Sequence, residues 1–342
     1  MLKVKSIYLE SAGNIRVKEV DYPEKKTNEA LIKVESLGIC GSDIGAYRGV
    51  NPLVSYPRII GHEVVGTIIE GGEGLPDTIR PGDRVIVDPY IYCGNCYPCS
   101  IGRTNCCEHL QVIGVHINGG MREIFAHPAK LLHKVPTGIP LAAIPLAEPL
   151  TIALHALHRT RLSAGEHVVI MGAGAIGLLA AQAALHYKAI PILIDIVQQR
   201  LDYAASIGIK HTINPSSQNG KEIIDQITLG RMAEVVIEAS GANIAIKEAL
   251  AYVSFAGRIA LTGWPKAETS LPTNIITLKE IDIRGSRTSA GEFPEALDLI
   301  EKGIIAADTI ISKTILLEEI PLAIKDLSEN PGRYLKINAV VQ

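Results

Sequence analysis

Three stretches of this sequence carry side chains whose type and spacing suit chemistry. Cys93-x-x-Cys96-x-x-Cys99, with Cys107 eight residues later, offers four thiolates from one short segment. A closed tetrahedral set of four sulfurs is what structural zinc prefers, and such an ion would stiffen a lobe lacking its own core. The neighbouring Cys106 is ambiguous on chemistry alone, because adjacent residues seldom ligate the same ion. Disulfides would spread their cysteines to staple distant segments, whereas five of the six here fall between Cys93 and Cys107.

A second set is dispersed: Cys40 in GICGSD, His62 and Glu63 in GHEVVG, and Glu148 in AEPLT. A catalytic zinc needs a few N, S and O ligands plus an open position, and these residue types would supply them. Spacing alone does not join them.

The third stretch is Gly172-Ala173-Gly174-Ala175-Ile176-Gly177, which follows an apolar strand pattern (HVVIM) and opens a helical one (AIGLLAAQAALHY). In that setting the first glycine makes the tight turn and the second lets backbone approach a pyrophosphate. The third lets helix and strand pack closely, and the helix N-terminus faces the phosphates. Asp195 ends the next strand pattern, PILIDI, eighteen residues after Gly177. A carboxylate there accepts both ribose hydroxyls of NAD and repels the 2′-phosphate of NADP. Its alternative role is to cap the following helix. Arg200, just beyond, is grouped with the cofactor-binding residues.

These residues need elements to hold them. The first third of the chain reads as short β-rich runs (ALIKVESLGI, EVVGTIIEGGE, DRVIVDPYI) punctuated by Gly and Pro, an irregular β domain with functional loops. From about Thr151, strands alternate with helices: after PILIDI come RLDYAASIG, EVVIEAS, AIKEALAYV and RIALTG. That alternation predicts a parallel sheet with right-handed crossovers. Beyond Ile283 the alternation changes. GEFPEALDLIEKG reads as a helix and YLKINAVVQ as a strand, a piece expected to return to the first domain.

Composition sets limits. A chain of 342 residues suits two domains, and 47% hydrophobic with 20% charged residues is globular. The net charge of −3 gives no basic footprint for nucleic acid. The N-terminal MLKVKSIYLES has no apolar core, and no run of apolar residues is long enough for a span, so a cytoplasmic protein with no membrane partner is expected.

GICGSD, YPRIIGHEVVG, PGDRV, the four-cysteine lobe, AEP and GAGAIG together resemble the zinc-containing medium-chain dehydrogenase/reductase family of alcohol, sorbitol and threonine dehydrogenases. The resemblance runs over the whole chain. It implies a GroES-like, zinc-binding catalytic domain (1–149 and 285–342) around a Rossmann NAD-binding domain (150–284). It also implies two zinc ions per chain, one catalytic and one structural, and NAD. Cys40 and His62 match ligands of the catalytic zinc, and Glu63 and Glu148 match acidic positions that ligate directly or through water. Asp43 matches the carboxylate that orients the histidine, and Ser42 the hydroxyl that takes the substrate proton. Cys107 matches the fourth structural ligand, leaving Cys106 as a spare. One departure is Gly45, where many members carry a relay histidine, so water near Glu63 or Glu148 is the substitute proton exit.

YPRIIGHE, CGNCYPCSIGRTNCCE, VIGVHINGG and GSRT resemble, more narrowly, a bacterial subgroup with starvation-sensing-type dehydrogenases and hexonate 5-dehydrogenases for L-galactonate or L-gulonate. The implied reaction moves hydride from a sugar-acid secondary alcohol to NAD, with zinc as Lewis acid. Polyols or polyol phosphates and L-threonine are the alternative substrates. An NAD-binding sensing protein without turnover is the alternative from another class. Arg287 is expected to grip a substrate carboxylate through a bidentate guanidinium, with cofactor or backbone binding as its other role. His116 and Arg48 lie in segments expected to border the substrate. Related enzymes are homodimers or homotetramers, the assembly expected here by analogy.

Overall fold

The computed structural model describes residues 2–342. Two compact units result: residues up to Glu148 together with Phe293–Gln342, and Pro149–Glu292. Among the described residues no helix is long and apolar enough to cross a membrane.

The first unit is built on strand Glu29–Gly38, whose side chains are buried at most positions on both faces. One of its edges pairs with Glu63–Glu70. The other pairs first with Ile124–Pro128 and then with Lys336–Val340. Arg84–Val87 and Leu132–Lys134 extend this seven-stranded sheet on one side, and Ile311–Leu316 closes it on the other. All its pairings are antiparallel except Ile311–Leu316 with Lys336–Val340. A three-stranded sheet, with Lys3–Ser11 between Asn14–Asp21 and Arg58–Ile59, packs into the same core. That core includes Ile7, Leu9, Ile32, Leu37, Ile68, Phe125 and, from helix Ile320–Glu329, Ile320 and Ile324. Burying each such side chain stabilises the fold by about 1.5–3 kcal/mol.

The second unit is an open sheet of six parallel strands. In space they run His211–Ile213, Ile190–Ile194, His167–Met171, Ala233–Glu238, Val253–Leu261, Asp282–Gly285. Numbered along the chain from His167, that is the order 3-2-1-4-5-6 of dinucleotide-binding sheets. The expected strand–helix alternation is present, and the first crossover helix, Ala175–His186, is buried from Gly177 to Ala184. A helix apolar on all sides has to be covered on all sides.

The chain returns to the first unit at Phe293, not at 285 as expected. Ser286 N donates to Leu261 O at 2.9 Å, and Glu292 accepts from His155 Nδ1 at 2.7 Å, so residues 285–292 stay anchored to the second unit.

Candidate active site

Cys40 follows strand Glu29–Gly38 and is the N-cap of the short helix Gly41–Tyr47. His62 and Glu63 stand where strand Glu63–Glu70 begins, and the pairing of Gly38 with Glu63 brings both segments together. Asp43 fixes them. Its buried carboxylate accepts from Cys40 N at 2.9 Å and from Gly61 N at 3.3 Å, so it holds the backbone beside each ligand. The expectation was that it would orient the His62 ring. Instead Nδ1 of His62 is buried with no hydrogen-bond partner among the described residues. Burial pushes the Asp43 carboxyl up, against the pull of nearby His62.

One ligand atom each from Cys40, His62 and Glu63 lies within 4.8 Å of the others. Glu63 Oε2 and Ser42 Oγ are, like His62 Nδ1, buried without a hydrogen-bond partner among the described residues. Buried polar atoms are nearly always satisfied. A sulfur, a nitrogen and an oxygen brought within ligand reach of one another, beside buried polar atoms of His62 and Glu63 that lack partners among the described residues, fit a zinc ion.

Two residues absent from the sequence reading complete the surroundings. Lys336, on strand Lys336–Val340, is buried and pairs its Nζ with Glu63 Oε1. Gly38 makes room for this pair, since a Cβ there would stand 1.8 Å from Glu63 Oε2. Burial opposes the Lys336 charge, yet Glu63, with Cys40 and Glu148 adding to it, holds its pKa above the ordinary lysine range. Burial likewise opposes charge on His62. Cys40, Asp43 and Glu148 overcome it and raise His62 well above the usual histidine value. Glu148, fully buried, is therefore an electrostatic neighbour of His62, and its Oε1 accepts the hydroxyl of buried Tyr90. Burial, opposed by His62, raises the Glu148 carboxyl; burial and Glu148 raise the Tyr90 phenol well above its usual range. A lysine inside the apolar run YLKINAVV was a readable signal of a buried counter-ion. Tyr90 had none.

The sulfurs of Cys93, Cys96, Cys99 and Cys107 form the other group, each within 4.8 Å of the rest; Cys106 stands outside it. Cys107 Sγ accepts the backbone N–H of Cys93 and of His109, both at 3.3 Å. Backbone N–H groups of Asn95 and Cys96 hold the Cys93 thiol down to about 6, which favours a ligating thiolate. Among the described residues, this lobe's own apolar cluster has only Tyr90, Cys107 and Leu110 as buried members. Four sulfurs closing on one point suit a structural zinc that substitutes for a core.

In the second unit, Gly172 turns with φ 109° and Gly174 is the N-cap of helix Ala175–His186. Gly177 packs so closely that a Cβ would fall 1.8 Å from Gly172 O. Ala175 and Ile176 form the helix's first turn. Asp195 Oδ2 accepts Ala173 N at 2.6 Å and Oδ1 accepts Val197 N at 2.8 Å, with Arg200 Nη1 3.7 Å from Oδ2. Arg287 is half-buried in the loop after Asp282–Gly285. Arg48 is exposed and donates from Nε to Ser328 Oγ at 3.0 Å and from Nη2 to Ser328 O; His116 Nδ1 accepts Val112 N at 3.0 Å. Both sets of bonds are packing bonds within the first unit.

Residues 26–137 match the family described as alcohol dehydrogenase GroES-like domain, and residues 175–302 the family described as zinc-binding dehydrogenase. The chain is 67% identical to an uncharacterized zinc-type alcohol dehydrogenase-like protein of Haemophilus influenzae, over 99% of each chain. It is 35% identical to the L-galactonate-5-dehydrogenase of Escherichia coli, over 86% of each. The crystal structure of the rspB alcohol dehydrogenase of E. coli CFT073, complexed with NADH, superposes with a TM-score of 0.92 at 34% identity, covering 99% of both chains. That of a zinc-binding dehydrogenase from Sinorhizobium meliloti 1021, bound to NADP, gives 0.91 at 32% identity, covering 99% of this chain and 100% of that one. The chain belongs to the zinc-binding alcohol dehydrogenase family, oxidoreductases of the CH–OH group.

Proposed function

We propose that this enzyme oxidises a secondary alcohol of a hexonate such as L-galactonate or L-gulonate, with NAD as acceptor. The observation that carries the catalytic part is the meeting of Cys40, His62 and Glu63 around buried, partnerless polar atoms. The sugar-acid part rests on similarity to an L-galactonate-5-dehydrogenase. When bound, zinc polarises the substrate hydroxyl and NAD accepts the hydride. Cys40 and His62 would hold the zinc, with Glu63 and Glu148 at its margin. Ser42 Oγ, buried and without a partner among the described residues two positions past Cys40, would receive the hydroxyl proton. Asp43 keeps the two ligand segments in register through Cys40 N and Gly61 N. Gly172, Gly174, Ala175, Ile176 and Gly177 would admit the pyrophosphate, and Asp195 with Arg200 the adenosine ribose. Cys93, Cys96, Cys99 and Cys107 would hold the second zinc. Arg287 would grip the substrate carboxylate. A homodimer or homotetramer is the proposed assembly, and a split GroES-like catalytic domain with a Rossmann NAD-binding domain the proposed organisation.

The test follows nicotinamide absorbance with NAD and a panel of hexonates, their uncharged polyol counterparts and L-threonine. The proposal expects a specificity constant at least about tenfold higher for a hexonate than for its polyol, the effect of one charged hydrogen bond of ~1.5–3 kcal/mol. Faster turnover of the polyol would remove the sugar-acid part. No turnover of any of them, with two zincs bound, would return the sensing alternative.

A further inference from the structure

Tyr90 lies three residues before Cys93, at the root of the four-cysteine lobe. Strand Tyr90–Ile91 pairs antiparallel with Gln111–Val112, Tyr90 opposite Val112, and Tyr90 N donates to Asp88 Oδ1 at 3.0 Å. The residue is therefore fixed from both sides along the backbone. Its two ends serve different neighbours. The side chain shares the lobe's small buried cluster with Cys107 and Leu110, against which Cys96 and Cys99 also pack. The hydroxyl donates to Glu148 Oε1, and Glu148 acts electrostatically on His62 and Glu63. One side chain thus touches the four-cysteine group and a carboxylate that neighbours the Cys40–His62 group.

We propose that Tyr90 is a positioning residue that holds the Glu148 carboxylate toward the Cys40–His62 group and ties its placement to the folded four-cysteine lobe. The inference rests on the proposed zinc site at Cys40 and His62. A glutamate carboxylate on a helix end has three side-chain torsions and two equivalent oxygens. A phenol anchored in a packed cluster selects one oxygen and one rotamer, as outer partners of metal-site residues do, and losing such a partner typically costs ten- to a hundredfold in metal affinity. Lys336 does the same for Glu63 through charge. Glu148 accepts from a neutral hydroxyl instead. If the lobe loosens, the hydroxyl moves with it and Glu148 loses its orientation.

The experiment compares wild type, Tyr90→Phe, Leu110→Ala and the double variant, each as the full chain loaded with zinc. It measures zinc content, the rate of release of the exchangeable zinc to a chelator, and the absorption bands after cobalt replaces that zinc. Thermal stability is recorded beside them. Tyr90→Phe keeps the ring and removes only the hydroxyl. It is expected to retain both zincs, release the exchangeable one about ten- to a hundredfold faster and shift the cobalt bands. Leu110→Ala leaves every sulfur in place but loosens the cluster, and is expected to speed the same release severalfold. In the Tyr90→Phe background it should add little, because the connection is already cut. Release from Tyr90→Phe at the wild-type rate with unchanged bands would overturn the proposal, even if stability falls. Equal, additive effects of the two substitutions would overturn the tie to the lobe. A wild-type chain that binds only the four-sulfur zinc would remove the underlying site reading, and this proposal with it.

Discussion

Both oxygens of Asp195 are occupied by backbone N–H groups, from Ala173 and Val197, so the carboxylate is rigid before any cofactor arrives. Oxygens with lone pairs to spare can accept ribose hydroxyls without reorganising, and a fixed negative charge disfavours a 2′-phosphate. Asp195→Ser should raise the NAD Michaelis constant and narrow the preference over NADP by about 2–3 kcal/mol, read as the ratio of specificity constants for the two cofactors. An unchanged ratio with a lowered melting temperature would leave Asp195 as a support for the turn alone. At this scale the sequence was legible where residue type implies chemistry. Cysteines at metal spacing, His62 and the glycine turn announce themselves. Tyr90 does not, and Lys336 shows only as a lysine inside an apolar run, because their roles depend on where distant segments fall in register. Gly38 sits between Glu63 and Asn338 only after three strands have paired, and that arrangement carries Lys336 to Glu63.

Helix Ala147–Thr160 is stapled to the loop before Phe293 by Glu292, which accepts His155 Nδ1 at 2.7 Å, with His158 Nδ1 3.5 Å away. Despite the cost of burial, hydrogen bonds from His155 and His158 hold the Glu292 carboxyl down to about 2. A depressed carboxyl stabilises the fold above its unfolded value near 4.5 and loses that contribution as pH falls toward about 2. Glu292→Gln should therefore cost about 1–2 kcal/mol at neutral pH after allowance for solvent screening. The gap to wild type should close between pH 4.5 and 2 in denaturation midpoints, and a gap that does not vary with pH would mean the staple is not ionic. This staple also explains why residues 285–292 stay with the second unit beyond the end of its last strand. The end of a strand pattern is visible in a sequence, while the carboxylate–histidine bond that delays departure from the sheet is not. Long periodic elements such as Ala175–His186 were legible from their own residues. A two-residue strand such as Arg58–Ile59 was not, since only its partner defines it.

In the first unit, burial holds His127 and His133 neutral down to about 4. Their unfolded values lie near 6.5, so between the two the unfolded chain takes protons that the folded chain refuses. Stability then falls as pH drops from 6.5 to 4, by roughly 2–3 kcal/mol per histidine. Acid should loosen the first unit through its histidines before it weakens the second through Glu292. His133 stacks on Phe293 with centroids 4.8 Å apart, so His133→Phe keeps an aromatic contact and should flatten part of the decline above pH 4. Denaturation midpoints across that range read the slope, and an unaltered slope would exonerate His133. The ion pair of Glu63 and Lys336 spans 273 residues, with the whole second unit between its partners. On a ribosome adding about 5–20 residues per second, Glu63 emerges roughly 14 to 55 s before the lysine that will neutralise it. During that interval an emerging chain can form the sheet around Gly38 only with a bare carboxylate inside it. Completion of the first unit is thereby timed by synthesis of the second.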